Sequence, residues 1–421
     1  MIEKIVHSFE AGRRGKPDEL DGLISHWLGA AFLELNPNSK FDLDVTGSYL
    51  PERDLILINI GGEISRSLLE FPRLKSRIAE MVSEFYNCVH NTSLNSRNFK
   101  FAFNFKPQEE CLASNGQAGD IGNPIAVAYR NEVSYLPVER YAAVEVRDLI
   151  DGLFRGGDFN SAIRNDMQKL FNLFSESGLR PDIIEHARDS KLKSLPDYNI
   201  SGFRADGKVR VNVEYEGHVP KKITDVTVAV EHESRLPLEE LRERLSPVLL
   251  SYWNDVLLSH LRMDRENIRI NPLGAWNKGG WQIDSGNREA KPYRDGFATY
   301  GCCEDSFSGE DPSKPSGTGT FLARYIAVQV VGNGLADFAR VALSYTIGSK
   351  EVGLNITTNG TARLKQKEIE QWVRKNIPLG INDAITRFNL RQPGLYRGIV
   401  EAADFFHNPQ FPWNKFEVKY R

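Results

Sequence analysis

Two nearby segments in the C-terminal half of the chain contain residue types that bind phosphate groups. Residues 270–286 read INPLGAWNKGGWQIDSG and contain four glycines, two tryptophans and one aspartate. Residues 307–325 read FSGEDPSKPSGTGTFLARY, a loop of Gly, Pro and Ser with acids and a lysine that leads into an apolar helical pattern. Glycine-rich loops let backbone N–H groups and a lysine approach a phosphate chain, and a helix N-terminus adds favourable partial charge. These residues alone predict a polyphosphate or nucleotide site.

Short motifs through most of the chain resemble, in order, those of the S-adenosylmethionine synthetase (methionine adenosyltransferase) family. GKPDE at 15–19 resembles the family's GHPDK, GGEI at 61–64 is shared, and FSGEDPSK at 307–314 resembles FSGKDPSK. Further resemblances lie at 118–122 with 129–132 (AGDIG, YRNE), 206–208 (DGK), 271–286, 323–325 (ARY), 334–337 (GLAD), 344–348 (SYTIG), 388–391 (FNLR) and 411–413 (FPW). So many motifs in the right order are strong evidence for the fold.

The resemblance implies a transferase in which the methionine sulfur attacks the ribose C5′ of ATP. The whole triphosphate leaves and is then cleaved to pyrophosphate and phosphate. Such an enzyme must orient the sulfur and C5′ in line and stabilise a highly charged leaving group. Mg²⁺ is the implied cofactor, and K⁺ is a second candidate cation.

The same resemblance assigns roles to individual residues by their position in the matched motifs. The assigned residues are Lys16, Lys208 and Lys314 as catalytic groups; Asp206, Lys208, Trp276, Asp284, Lys291 and Lys314 for ATP; Glu63, Asp120 and Asp284 for methionine; and Asp18 for the metal. Arg288 for ATP and Glu310 for the metal are added as hypothetical substitutes for family residues that this chain lacks. Without the family, each lysine would be interpreted as a surface residue and Asp18 as an acid that complements a helix dipole.

Several charged positions depart from the family pattern. The family has histidine where this chain has Lys16, lysine where it has Glu19 and arginine where it has Ala290. It also has lysine at the position of Glu310 and aspartate at the position of Ser316. Arg288 could substitute for the missing arginine if its loop is shifted. A carboxylate at Glu310 repels phosphate unless a cation lies between them, so Glu310 could restore the magnesium site that Ser316 has lost. An active transferase, a non-catalytic nucleotide-binding or regulatory homologue, and an enzyme with another nucleotide or thioether substrate all stay open.

Composition is that of an ordinary globular protein. The chain has 421 residues, of which 41% are hydrophobic and 26% charged. Its net charge of -3 does not indicate a protein that binds nucleic acid or membrane surfaces. The first residues show no apolar signal-peptide core, and the four cysteines have no disulfide or zinc-ligand spacing. We therefore expect a cytoplasmic protein with reduced thiols.

Periodic patterns predict the elements that position these residues. Helices are predicted at 20–35, 64–86 (divided or kinked at Pro72), 238–261 and 320–331, and strands at 55–60, 209–215 and 223–230, while 101–111 reads as irregular. The mixed order favours an α+β fold. The family implies three similar α+β subdomains in a pseudo-threefold arrangement, here at 1–110, 111–270 (with a helical insertion at about 153–199) and 271–421. It also implies a homodimer or a dimer of dimers with the active site between protomers.

Overall fold

The computed structural model describes residues 4–108, 121–131, 134–154, 200–257, 261–288, 291, 295–303 and 305–420. Its strands, in chain order, are β1 (Lys4–Gly12), β2 (Phe41–Leu50), β3 (Leu55–Ile64), β4 (Phe99–Pro107), β5 (Ile125–Tyr129), β6 (Phe203–Glu216), β7 (Val219–His232), β8 (Ile268–Ile270), β9 (Phe338–Ser344) and β10 (Gly353–Thr357). Its α-helices are α1 (Pro17–Leu35), α2 (Arg66–Leu69), α3 (Leu74–His90), α4 (Val138–Phe154), α5 (Leu238–Ser251), α6 (Pro315–Gly332), α7 (Gln366–Asn376), α8 (Ile381–Phe388) and α9 (Pro393–Ala402).

The strands form separate small sheets with the orders β1-β6-β7-β8, β2-β3-β4 and β10-β9-β5. This mixture of helices and several small sheets confirms the predicted α+β class. Two sheets combine strands from distant parts of the chain, since β1 pairs with β6 and β5 pairs with β9. The division into three subdomains stays a prediction, and residues 155–199, which contain most of the predicted insertion, lie outside the described residues.

The sheet β2-β3-β4 buries one face and leaves the other open. In β3, Ile56, Ile58 and Ile60 are buried while Asn59 between them is exposed. The strand β4 reads FKFAFNFKP, and the rings of Phe99, Phe101, Phe103 and Phe105 lie beside one another along one face, 5.9–6.3 Å between neighbouring centroids. The prediction of irregular structure from residue 101 was wrong, because this strict alternation is the pattern of a half-buried strand.

Helices α1 and α3 cover the apolar face of this sheet. The buried side chains of α1, including Leu20, Ile24 and Trp27, share one core with Ile58 and Ile60 of β3. As predicted, the helical pattern is divided around Pro72: α2 ends at Leu69 and α3 begins at Leu74. Proline lacks the N–H group that a continuous helix would need there.

The helix α6 is buried along nearly its whole length. Of its residues, those from Pro315 to Val331 are all buried, and they pack against β5 and β9. Among the described residues, no helix combines the length and the apolar character that crossing a membrane requires.

Candidate functional site

Lys16 and Lys314 occupy equivalent positions at the starts of two helices. Each precedes a proline that begins the helix, Pro17 of α1 and Pro315 of α6, and each has an extended backbone. Proline is well suited to the first helical position and keeps the residue before it extended. The Nζ atom of Lys16 lies 2.6 Å from Asp18 Oδ2, and that of Lys314 lies 3.2 Å from Asp42 Oδ2.

The start of α1 contacts the glycine-rich segment. The backbone N–H of Asn287 donates to Asp18 Oδ1 at 3.1 Å. One helical turn later, Asp21 Oδ2 accepts from Gly47 N–H at 3.1 Å, and the Gly47 carbonyl accepts from Gly286 N–H at 3.1 Å. A Cβ atom at Gly286 would lie 1.9 Å from Asp21 Oδ2, so this crossing requires glycine.

Asp42 on β2 joins two cationic side chains. Its Oδ2 atom pairs with Lys314, and its Oδ1 atom lies 3.2 Å from Arg288 Nη1. Arg288 also contacts Asp44 Oδ1 at 3.0 Å and donates to the Ser308 carbonyl at 2.7 Å. The strand β2, the glycine-rich segment and the loop at 307–314 therefore meet at this carboxylate.

Glu310 is buried beside Asp42. The two residues form an isolated antiparallel bridge, and the Ser316 hydroxyl donates to Glu310 Oε2 at 2.5 Å. Burial, together with the negative charge of Asp42, raises the pKa of Glu310 to about 8. Glu310 therefore holds a proton at neutral pH and adds little negative charge to the cluster.

Two stacked aromatic side chains hydrogen-bond to the backbone of the 307–314 loop. His26 Nδ1 accepts from Gly309 N–H at 3.3 Å, and the Tyr396 hydroxyl donates to the Glu310 carbonyl at 2.8 Å. The two rings stack with centroids 4.3 Å apart and planes 8° from parallel. Burial and the nearby charge of Lys291 lower the pKa of His26 to about 3, so this imidazole is neutral and able to accept.

Asp206 fixes the paired glycines of the 271–286 segment. Its Oδ2 atom accepts from Gly280 N–H and its Oδ1 atom from Gly207 N–H, each at 2.6 Å. Burial raises the pKa of Asp206, while these hydrogen bonds and the charge of Lys16 act in the opposite direction. The acid therefore lies close to Lys16 and holds a backbone turn.

Other predicted site residues lie in different surroundings. Lys208 is on the outer face of β6, where it pairs with Glu10 at 3.2 Å and has 49% of its side chain exposed. Lys291 is buried between Glu19 and Asp295, 3.3 Å from each. Each of these two lysines therefore has carboxylate partners other than Asp42.

The residues predicted to bind the nucleotide and methionine differ in how far they are buried and in what they contact. Trp276 is half-buried, its indole N–H donates to the Lys278 carbonyl, and Asp284 is exposed. Glu63 of β3 lies directly opposite Asp42 in the antiparallel register, so both side chains are on the open face of their sheet. Asp120 and Ala290 lie outside the described residues.

The two predicted metal ligands are held by different partners. Asp18 pairs with Lys16, whereas Glu310 accepts from Ser316. In the part of the chain that the structure describes, no group of three or more His, Cys, Asp or Glu side chains is arranged to hold a metal. Mg²⁺ binds through one or two carboxylates when substrate phosphates supply other ligands, so Asp18, with 21% of its side chain exposed, fits that need.

Sequence reasoning did not identify Asp42, Asp44, His26 or Tyr396 as parts of the site. The pattern FDLDVTG at 41–47 contained a usable signal for the two acids. Aspartates two residues apart in a strand share one face, while Phe41, Leu43 and Val45 face the core. His26 and Tyr396 had no such signal, because their contacts depend on the folded positions of α1, α9 and the 307–314 loop.

The comparison with known protein families agrees with this geometry. Residues 278–415 match the family model described as S-adenosylmethionine synthetase, C-terminal domain. The match includes Arg288, Glu310, Lys314 and Ser316, which are four of the residues that meet at or next to Asp42. Over residues 278–415 the chain is therefore similar to the C-terminal domain of S-adenosylmethionine synthetases.

Proposed function

We propose that the protein transfers the adenosyl group of ATP to the sulfur of methionine, giving S-adenosylmethionine, pyrophosphate and phosphate. The observation that carries the proposal is the meeting of Lys314 and Arg288 at one carboxylate, within a domain that matches this family. Two fixed cations beside a loop with the sequence FSGEDPSK can hold a polyphosphate leaving group.

In this proposal the protein acts by binding and orientation rather than by covalent catalysis. Lys314 and Arg288 bind the triphosphate, and Lys16 at the start of α1 offers a further positive charge to it. Asp206 holds the turn at Gly280, and Glu63 and Asp284 are proposed to contact the methionine or nucleotide side. Mg²⁺, held by Asp18 and the phosphates, would neutralise part of the leaving-group charge. K⁺ stays a prediction to which no residue is assigned.

Two protomers are proposed to share the site. The open face of the β2-β3-β4 sheet exposes Asn59, Lys100 and Asn104, and the outer face of β6 exposes Lys208 and Arg210. Pairing of such faces between copies would bring Lys208 of one protomer toward the 307–314 loop of another. Within a single chain the two lysines have different partners, Glu10 for Lys208 and Asp42 for Lys314.

The test is incubation of the purified protein with ATP, methionine, Mg²⁺ and K⁺, followed by mass analysis of the products. S-adenosylmethionine formed together with pyrophosphate and phosphate supports the proposal. Reactions that omit methionine, or that contain Lys314→Ala protein, provide the controls. ATP binding with no adenosylated product would reject the transferase and support the second candidate.

The second candidate is a non-catalytic nucleotide-binding homologue. It is favoured by acids at two positions where the resemblance implies lysines, Glu19 and Glu310. Glu19 is buried and engages Lys291, which removes that lysine from contact with a ligand in this conformation. An enzyme of the same fold that uses another thioether or nucleotide would appear in the same assay as a different adenosylated product.

A further inference from the structure

A single carboxylate pairs with both of the cations on which the proposed phosphate site is based, Lys314 of the 307–314 loop and Arg288. Asp42 uses one oxygen for Lys314 and the other for Arg288, each at 3.2 Å. The side chain of Asp42 is 30% exposed, that of Lys314 is 20% exposed and that of Arg288 is 7% exposed. A phosphate that approaches these two cations from solvent therefore has to compete with the carboxylate already between them.

The surroundings of Asp42 add to this barrier. Glu63 lies directly opposite it on β3, so the two carboxyl groups share the open face of the sheet. A bare polyphosphate would bring further negative charge toward the carboxylates of Asp42 and Glu63. Like charges that lie close together repel strongly where water is partly excluded. A divalent cation on the polyphosphate offsets that repulsion, because it supplies positive charge to the carboxylate while Lys314 and Arg288 turn to the phosphates.

We propose that Asp42 determines the specificity of this anion site: it closes the site to metal-free polyphosphates and admits their complexes with divalent cations. The identity of the natural polyphosphate as ATP rests on the proposed function. The role of Asp42 does not, since it follows from the ion pairs and can be tested with inorganic tripolyphosphate.

The chain offers a matched control in Asp44. This second aspartate also contacts Arg288, on the same face of the same strand, but 62% of its side chain is exposed. Removing either negative charge changes the net charge of the protein equally. Asp42 lies between both cations and is less exposed than Asp44, so removal of Asp42 should open the site much further than removal of Asp44.

The experiment measures the affinity of inorganic tripolyphosphate by calorimetry at low ionic strength, with and without Mg²⁺. For the unchanged protein we expect Mg²⁺ to tighten binding by about tenfold or more. Asp42→Asn should bind metal-free tripolyphosphate about tenfold tighter than the unchanged protein does and should lose most of the Mg²⁺ effect. Asp44→Asn should change the metal-free affinity by less than about threefold.

Asp42→Thr serves as a second variant, because a β-branched residue suits a strand if the asparagine disturbs folding. Equal affinity for tripolyphosphate with and without Mg²⁺ in the unchanged protein would overturn the proposal without any variant. An equal gain in Asp42→Asn and Asp44→Asn would also overturn it, since net charge alone would then explain the effect. If no S-adenosylmethionine forms but Asp42→Asn gains affinity, only the proposed function fails. If product forms and Asp42→Asn gains nothing, only this inference fails.

Discussion

At the scale of single residues, Glu310 links the chemistry of the site to the stability of the fold. Its pKa is raised to about 8 in the folded protein, well above the ordinary value near 4.5. Between those values the folded state keeps a proton that the unfolded chain releases. The free energy of unfolding should therefore fall as pH rises from about 4.5 to 8, by up to about 1.4 kcal/mol per pH unit from this group.

Replacing Glu310 by Gln should remove that slope, because the amide resembles the protonated acid and does not titrate. Urea unfolding at several pH values between 5.5 and 8 provides the measurement. Glu351→Gln, at an exposed position, is the control and should keep the slope of the unchanged protein. Equal slopes in all three proteins would show that Glu310 is already ionised in the fold.

The two lysines proposed to bind phosphate should differ in how they depend on assembly. Lys314→Ala removes a cation from the loop within one chain and should weaken ATP binding about tenfold or more. Lys208→Ala should do so only where protomers associate, because Lys208 pairs with Glu10 on the outer face of its sheet. Titration of ATP above and below the association concentration separates the two, with exposed Lys367→Ala as control. Unchanged affinity in both variants would reject their placement.

How much of the site could be read from the sequence differs between residue types. Lys314 and Asp18 were identified by motif and Arg288 as a substitute for the arginine expected at Ala290, and the structure places each in a contact between segments. Lys291 fell on a family position as well, but its buried pair with Glu19 depends on a residue 272 positions away. Sequence spacing contains no information on such a distant partner.

At the scale of elements, the crossing of α1, β2 and the 280–288 segment depends on the absence of a side chain at Gly286. A Cβ atom there would lie 1.9 Å from Asp21 Oδ2 and 2.7 Å from the Pro17 carbonyl, and the latter is backbone that cannot rotate away. We expect Gly286→Ala to destabilise the protein by roughly 1–3 kcal/mol through overpacking.

The matching control for that variant is Gly394→Ala in α9. No atom lies within 4 Å of a Cβ built at Gly394, so alanine should be neutral or slightly stabilising there. Thermal unfolding of both proteins gives the comparison. Equal midpoints would mean that the 280–288 segment moves aside without loss of stability, and that its contact with α1 contributes little to the stability of the fold.

The elements themselves were predictable where periodicity was strong. The helices α1 and α6 and the strands β3, β6 and β7 follow from their apolar patterns, and Pro72 marked the division between α2 and α3. The pairings were not predictable, because β1 hydrogen-bonds to β6 across about 200 residues of chain. β4, at the edge of its sheet, was missed although the alternation of its four phenylalanines was visible in the sequence.

At the scale of the whole molecule, the main feature is the open face of the β2-β3-β4 sheet, on which polar side chains are exposed. In β3, the central strand of the β2-β3-β4 sheet, Asn59 is exposed while its neighbours Ile58 and Ile60 are buried. Glu63 and Asp42 lie on that same open face. A second copy that packs there would cover the face and enclose the two acids, which fits a site shared between protomers.

We therefore expect light scattering to give a dimer or larger, above the 47.6 kDa of one chain. Asn59→Arg should shift the protein toward the monomer, because a long charged side chain at the centre of the face prevents close packing. Gln366→Arg on the exposed side of α7 adds the same charge elsewhere and should leave the association unchanged. If the dimer uses this face, Asn59→Arg should also reduce product formation at concentrations where Gln366→Arg remains active. A monomeric unchanged protein that still forms product would show that one chain contains the complete site, and Lys208 would then have no part in it.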